Sequence, residues 1–115
     1  MSMAEFNALM NHDVILKKMV RSYEGELSVD SFQVLKGCVE FGSNLIIEKK
    51  DNPGETLLAK AIVFLKDDAV IDVEHEGWEV EQTAPQIISK LEVINIDPII
   101  DKRSGQIHHY ELAVI

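Results

Sequence analysis

The run Leu57-Leu-Ala-Lys-Ala-Ile-Val-Phe-Leu65 constrains this chain most. Eight of its nine residues are apolar, and Lys60 is its only charge. Pro53-Gly54 precedes it and Lys66-Asp67-Asp68 follows it, so it is too short and too sharply bounded for a buried helix and reads as a strand. Apolar side chains at both odd and even positions imply cover on both faces, which places the strand at the centre of a sheet. Asp67-Asp68 tolerates turn geometry. The residues beyond it alternate: Ala69, Ile71, Val73 and His75 fall on one face, and Val70, Asp72, Glu74 and Glu76 on the other. Alternation at period two predicts a half-buried strand, so 57–65 and 69–76 are expected to form a β-hairpin. After Gly77 the phase inverts, with Trp78 and Val80 apolar and Glu79 and Glu81 polar. A glycine at such a point marks a bulge or bend. Asp72, Glu74, Glu76, Glu79 and Glu81 then form one acidic stripe, read as the wet face of a strand and as a candidate surface for a basic protein partner.

The segment before this hairpin carries helical spacing. Met3, Phe6 and Met10, then Leu16, Met19, Val20 and Tyr23, recur at steps of three and four. Ser2-Met3-Ala4-Glu5 fits a capping box, Asp13 is a good N-cap, and Gly25 suits a C-terminal stop. Two short helices over 3–10 and 14–23, or one kinked helix, are expected to cover one side of the sheet. Residues 28–41 fit both periods, and Gly37 counts against both. Phe32, Val34 and Cys38 favour a strand that a Gly42-Ser43-Asn44 loop would join to the strand 45–50, and strand is the preferred reading. Asp51-Asn52-Pro53-Gly54 is the strongest turn signal.

Thr83-Ala84-Pro85 breaks the pattern again, and 86–90 reads as a helical turn. Residues 91–96 alternate as a strand, where Pro98 favours an edge or a strand end. A loop at 101–105 leads to a last strand over 106–115, whose Leu-Ala-Val-Ile end is expected to be docked. The fold class predicted is α+β: an N-terminal helical segment packed on a meandering, mainly antiparallel curved β-sheet, in a single domain over residues 1–115.

Composition narrows function by exclusion. Eleven basic residues against twenty acidic ones give a net charge of −9, which disfavours phosphate neutralisation and hence nucleic-acid binding. No apolar run approaches the roughly 20 residues that span a bilayer, so no membrane association is expected. The N-terminus lacks the basic and apolar regions of a secretory signal. One cysteine, Cys38, excludes an internal disulfide, and a cytoplasmic, reducing setting is the expectation.

No catalytic motif emerges. His12, His75, His108 and His109 show no metal-ligand spacing, and His108 and His109, adjacent on a strand, should face opposite ways and not share an ion. No metal or cofactor is expected. Leu45-Ile46-Ile47-Glu48-Lys49-Lys50, with Asp30 upstream, resembles the strand end of restriction-type nuclease cores, but the flanking helices are missing. Pro98-Ile99-Ile100-Asp101 through Ser104-Gly105 to Glu111-Leu112 resembles the opening hairpin of EAL-type cyclic-di-GMP phosphodiesterase domains. Any hairpin with a glycine turn generates that pattern, and no function is carried over. The glycines are scattered, which excludes a phosphate-binding loop.

The function expected is therefore non-covalent protein interaction, as an inhibitor, immunity-type protein, adaptor or assembly subunit, within a homodimer. The alternative is a small-ligand module or modest enzyme with the layout of the NTF2-like group. Tyr23, Phe64, His75, Trp78 and Tyr110 would line its pocket between curved sheet and helices.

Overall fold

A computed structural model describes residues 3–48 and 54–115. It contains one short helix, α1 (Met3–Leu9), and six strands: β1 (His12–Arg21), β2 (Leu27–Glu48), β3 (Thr56–Lys66), β4 (Trp78–Ala84), β5 (Ile88–Ile100) and β6 (Ile107–Val114). The strands close into an antiparallel barrel in the order β1-β2-β3-β6-β5-β4. The expected α+β class is thus overturned: the protein is nearly all β, and among the described residues no helical layer covers a sheet. Residues 49–53, with most of the expected Asp51–Gly54 turn, lie outside the described residues.

The expected helix over 14–23 is strand β1. Val14 and Leu16 point into the barrel at a step of two, and Met19, the next buried residue, follows at a step of three beneath the loop whose Gly77 O accepts from its N–H. That step imitates a helix, although β1 itself is continuous: the register shift beside Lys18 and Met19 places the extra residue, Asp30, on β2. Asp13 is no N-cap and instead forms an ion pair with Lys36 on β2. The preferred strand reading of 28–41 holds. No loop forms at Gly42-Ser43-Asn44, however, because β2 runs on through an irregularity between Phe41 and Leu45 and keeps its pairing with β3.

β2 is long because it serves two partners. Its first half pairs with β1 and its second half with β3, and Gly37 is paired with both, opposite His12 and Leu65. Following the pairs from His12 through Gly37, Leu65 and Tyr110 leads to Pro98, late in β5. Following them the other way, from Val14 through Gln82, leads to Ile88 at its start. That offset is the stagger a closed barrel requires of tilted strands.

The interior is filled by alternate residues of the ring, among them Val14, Leu16, Val63, Leu65, Val80, Leu91, Leu112 and Val114, all fully buried. The apolar end of β6 is docked as expected: Leu112, Ala113 and Val114 are buried, and Ile115 exchanges two backbone hydrogen bonds with Glu92. β3 does not lie at a sheet centre with both faces covered. Ala59, Ala61, Val63 and Leu65 face inward, α1 shields Phe64 outside, and Leu58 is exposed.

The expected 57–65/69–76 hairpin does not form. β3 and β4 sit on opposite sides of the ring, so the connection 67–77 has to cross a barrel end and has no strand to pair with. It still buries Ala69 and packs Ile71 against the core, which accounts for its alternating pattern. The Gln33 side-chain amide donates to Val70 O and accepts from Val70 N, both at 2.8 Å, and holds the crossing in place. The bend expected at Gly77 is present, with φ +103°. The expected helical turn at 86–90 is absent too: β5 begins at Ile88, and Gln86 O accepts from the Gln82 side chain at 3.0 Å.

Candidate functional site

Where β4 begins, the barrel wall is incomplete. β4 pairs with β5 only as far as Glu79 opposite Glu92, while β5 runs on to Ile100 with β6 on one side. β1 continues past Lys18, which faces Trp78, to Arg21. Between these two strand ends lies a cleft of about 1360 Å³, bordered by Met19–Arg21, the loop 73–77, Trp78, Glu79 and the stretch of β5 from Lys90 to Pro98.

The loop that forms one wall is tied to β1. Met19 N donates to Gly77 O at 2.7 Å, and His75 Nε2 lies 2.7 Å from Met19 O. A carbonyl only accepts, so Nε2 carries the proton. Trp78 Nε1 donates to His75 O at 3.0 Å, and the two rings meet edge to face, 5.7 Å apart at 89°. Trp78 is buried beneath, so the core anchors the cleft wall.

The acids of the expected stripe divide among three places. Glu74, Glu76 and Glu79 line the cleft. Glu81 is paired with Lys17 at 2.9 Å, and Asp72 caps its own turn by accepting from Glu74 N at 3.0 Å. Alternation had assigned all five to one strand face, but 72–76 is a loop. A fourth cleft acid, Glu92, comes from β5. It sits directly opposite Glu79 in a pair whose backbone bonds run to other strands, the closer of the two antiparallel spacings. Like charges so placed repel. Lys90 lies 4.0 Å from Glu79 and Arg21 is engaged with Gly25 O, so four carboxylates face two cations across the cleft. Glu92 was visible in the sequence as the polar partner of Leu91, but nothing local placed it against Glu79.

The five pocket candidates do not converge. Tyr23 is fully exposed in the β1–β2 turn, Phe64 lies outside the barrel under α1, and Tyr110 is buried in the core. Only His75 and Trp78 meet, at the cleft. Among the described residues no helices lie over a concave sheet, so the NTF2-like layout does not form there.

Two other clusters have defined chemistry. His108 and His109 do not point apart: their Nδ1 atoms are 2.8 Å apart, and His109 Nε2 lies 2.8 Å from Glu111 Oε2. Phe6 of α1 covers both rings, at 5.1 and 4.6 Å. One Nδ1 must donate and the other accept, so the pair shares a single proton across that contact. The His75 ring is committed at Met19, and no group of three or more His, Cys, Asp or Glu among the described residues is placed to hold a metal ion. Cys38 lines a small apolar pocket of about 400 Å³ with Phe6, Met10 and Phe64. Burial, and then the neighbouring Glu40 carboxylate, push its pKa up, so it stays a neutral thiol and a poor nucleophile at neutral pH.

Among the described residues no helix is long and apolar enough to cross a membrane. No protein-family profile, no curated protein and no solved structure matches the chain.

Proposed function

We propose that this chain is a non-enzymatic binding protein whose acidic cleft receives a basic segment of a protein partner. The observation that supports this is the convergence of Glu74, Glu76, Glu79 and Glu92 on one opening, with Glu79 and Glu92 directly opposed. Such a pair repels, Lys90 reaches Glu79 only at 4.0 Å, and a basic guest would relieve the remaining repulsion. Reaction chemistry has no comparable support: Glu74, Glu76 and Glu92 are exposed, the more enclosed Glu79 is engaged with Lys90, and no Ser or Cys lines the cleft among the described residues. A reducing cytoplasm suits a protein whose one cysteine is a free thiol.

The test is titration with a short peptide of alternating lysine and valine, followed by calorimetry at low and high salt. Binding is expected at low salt and should weaken as salt screens the charges. Glu79→Gln with Glu92→Gln should lower affinity by about tenfold, at roughly 0.5–1 kcal/mol per rim charge. Affinity indifferent to both salt and these substitutions would sink the reading.

A homodimer is a second proposal, supported by a separate feature. Phe32 and Val34 are exposed on the outer face of β2, with Val29 and Leu27 half exposed nearer the β1–β2 turn. An apolar strip of this kind suits a two-fold interface, where one surface meets its own copy. Sedimentation velocity should show a dimer that Phe32→Ser and Val34→Ser convert to monomer. A wild-type monomer at high concentration would exclude it.

A further inference from the structure

We propose that the guest binds as an added β-strand, hydrogen-bonded to the open edge of β5 between Val93 and Ile100. This rests on the acidic cleft being the binding site and specifies how it is filled. The edge is open because the chain turns away from it. Before Trp78 the loop rises to β1, where Gly77 O and His75 Nε2 take both backbone groups of Met19. No strand among the described residues pairs with β5 beyond Glu92 on its β4 side.

The direction of the β5 backbone follows from its ladder with β6. Ile115 exchanges both bonds with Glu92, so alternate β6 residues, Ala113, Glu111 and His109, also turn their backbone groups towards β5. Their partners on β5 are Asn95, Asp97 and Ile99. The residues between, Ile96 and Pro98, therefore present their backbone groups to the other side, and both border the cleft. Ile96 offers an N–H and a C=O. Pro98 offers a C=O alone, which limits the length of edge that can be extended and protects it from indiscriminate pairing.

A guest here occupies the place β4 would fill if it continued upstream of Trp78, and β4's antiparallel sense is the sense that matches this edge. Strand addition draws affinity from main-chain bonds and specificity from alternate side chains. Outward side chains of the guest meet Glu74, Glu76, Glu79 and Glu92, which selects lysine or arginine. Inward ones lie towards Ile96 and Trp78, which selects apolar residues. The occupant is thus an extended segment of alternating basic and apolar residues. A second copy of this chain does not fit, because edge-to-edge pairing on β5 would bring Glu92 and its neighbouring carboxylates together with their own copies.

The experiment compares the alternating lysine–valine peptide with the same peptide N-methylated at the backbone amides on its β5-facing side. The two carry equal charge and side chains. Strand addition predicts that methylation lowers affinity by tenfold or more, and that the unmodified peptide slows hydrogen exchange at the Ile96 amide of the wild-type protein. Equal binding of the two peptides, or bound peptide without protection at Ile96, overturns strand addition and leaves the acidic-cleft reading standing. Absence of binding by both peptides at low salt overturns that reading as well.

Discussion

Trp78→Ala is expected to destabilise the protein by about 3–5 kcal/mol, a large share of the 5–15 kcal/mol typical of a domain. Trp78 is 4% exposed and stands at the first residue of β4, where the barrel wall stops and the crossing loop begins. Its truncation removes a large apolar surface and leaves a cavity that the surrounding strands fill only in part. It also strands the carbonyl of His75, which accepts from Nε1 at 3.0 Å. Trp78→Phe keeps most of the packing and should cost far less, about 1–2 kcal/mol for the lost bond and trimmed ring. Urea unfolding followed by far-ultraviolet circular dichroism measures both, since the only tryptophan is the one being changed. A loss below about 1 kcal/mol for the alanine variant would show that Trp78 does not anchor the barrel end. Because the same indole supports His75, the alanine variant should also lose the lysine–valine peptide.

Gly37→Ala is expected to lower stability by about 1–3 kcal/mol, and Gly37→Val by more. A Cβ at this position would lie 2.7 Å from Phe64 O, 3.0 Å from Leu65 Cδ2 and 3.3 Å from Val14 Cγ2. The first neighbour is backbone, so β3 itself must shift to make room. Gly37 is also where β2 is paired to both β1 and β3, and a shift there spreads into two ladders. Elsewhere in a strand, alanine is favoured over glycine because it restricts the unfolded chain; here the steric cost outweighs that gain. Thermal melts should show the midpoint falling by roughly 4–8 °C per kcal/mol. An unchanged or raised midpoint would mean that the strands separate freely at this point and that their close approach has no role in closing the barrel.

Both positions drew notice in the sequence, for incomplete reasons. Gly37 counted against strand and helix alike over 28–41, because one sequence does not reveal that a strand has two neighbours crowding a single residue. Trp78 was placed on the inner face of a strand after the Gly77 bend, and there it lies. The same local pattern located β6, its docked end, the strand at 91–96 and the edge character of Pro98. It failed at β1, where Met19, covered by the loop that ends at Gly77, lies three residues after the inward Leu16 and gave a strand a helical step. It failed again over 69–76, where a loop packed across a barrel end shows the alternation of a strand without its ladder.

The candidate site divides along the same line. Glu74, Glu76 and Glu79 were legible as acids beside a bend. Asp72 and Glu81 looked equivalent to them, and only the fold separates them, through a turn cap and the ion pair with Lys17. Glu92 and the open edge of β5 were not legible, since both depend on where β4 starts relative to a strand that follows it in the chain. Alternation and turn residues depend on neighbours in sequence, so by itself the sequence determined that Trp78 and Val80 of β4 face inward, that the end of β6 is docked and where the chain bends at Gly77; β3, apolar at every position from 57 to 65 but Lys60, left its inward face open. Closure of the ring, the two-partner position of Gly37 and the pairing of Glu79 with Glu92 depend on contacts between distant segments. Only the tertiary structure decided them, because the stagger of a closed barrel is a property of all six strands together.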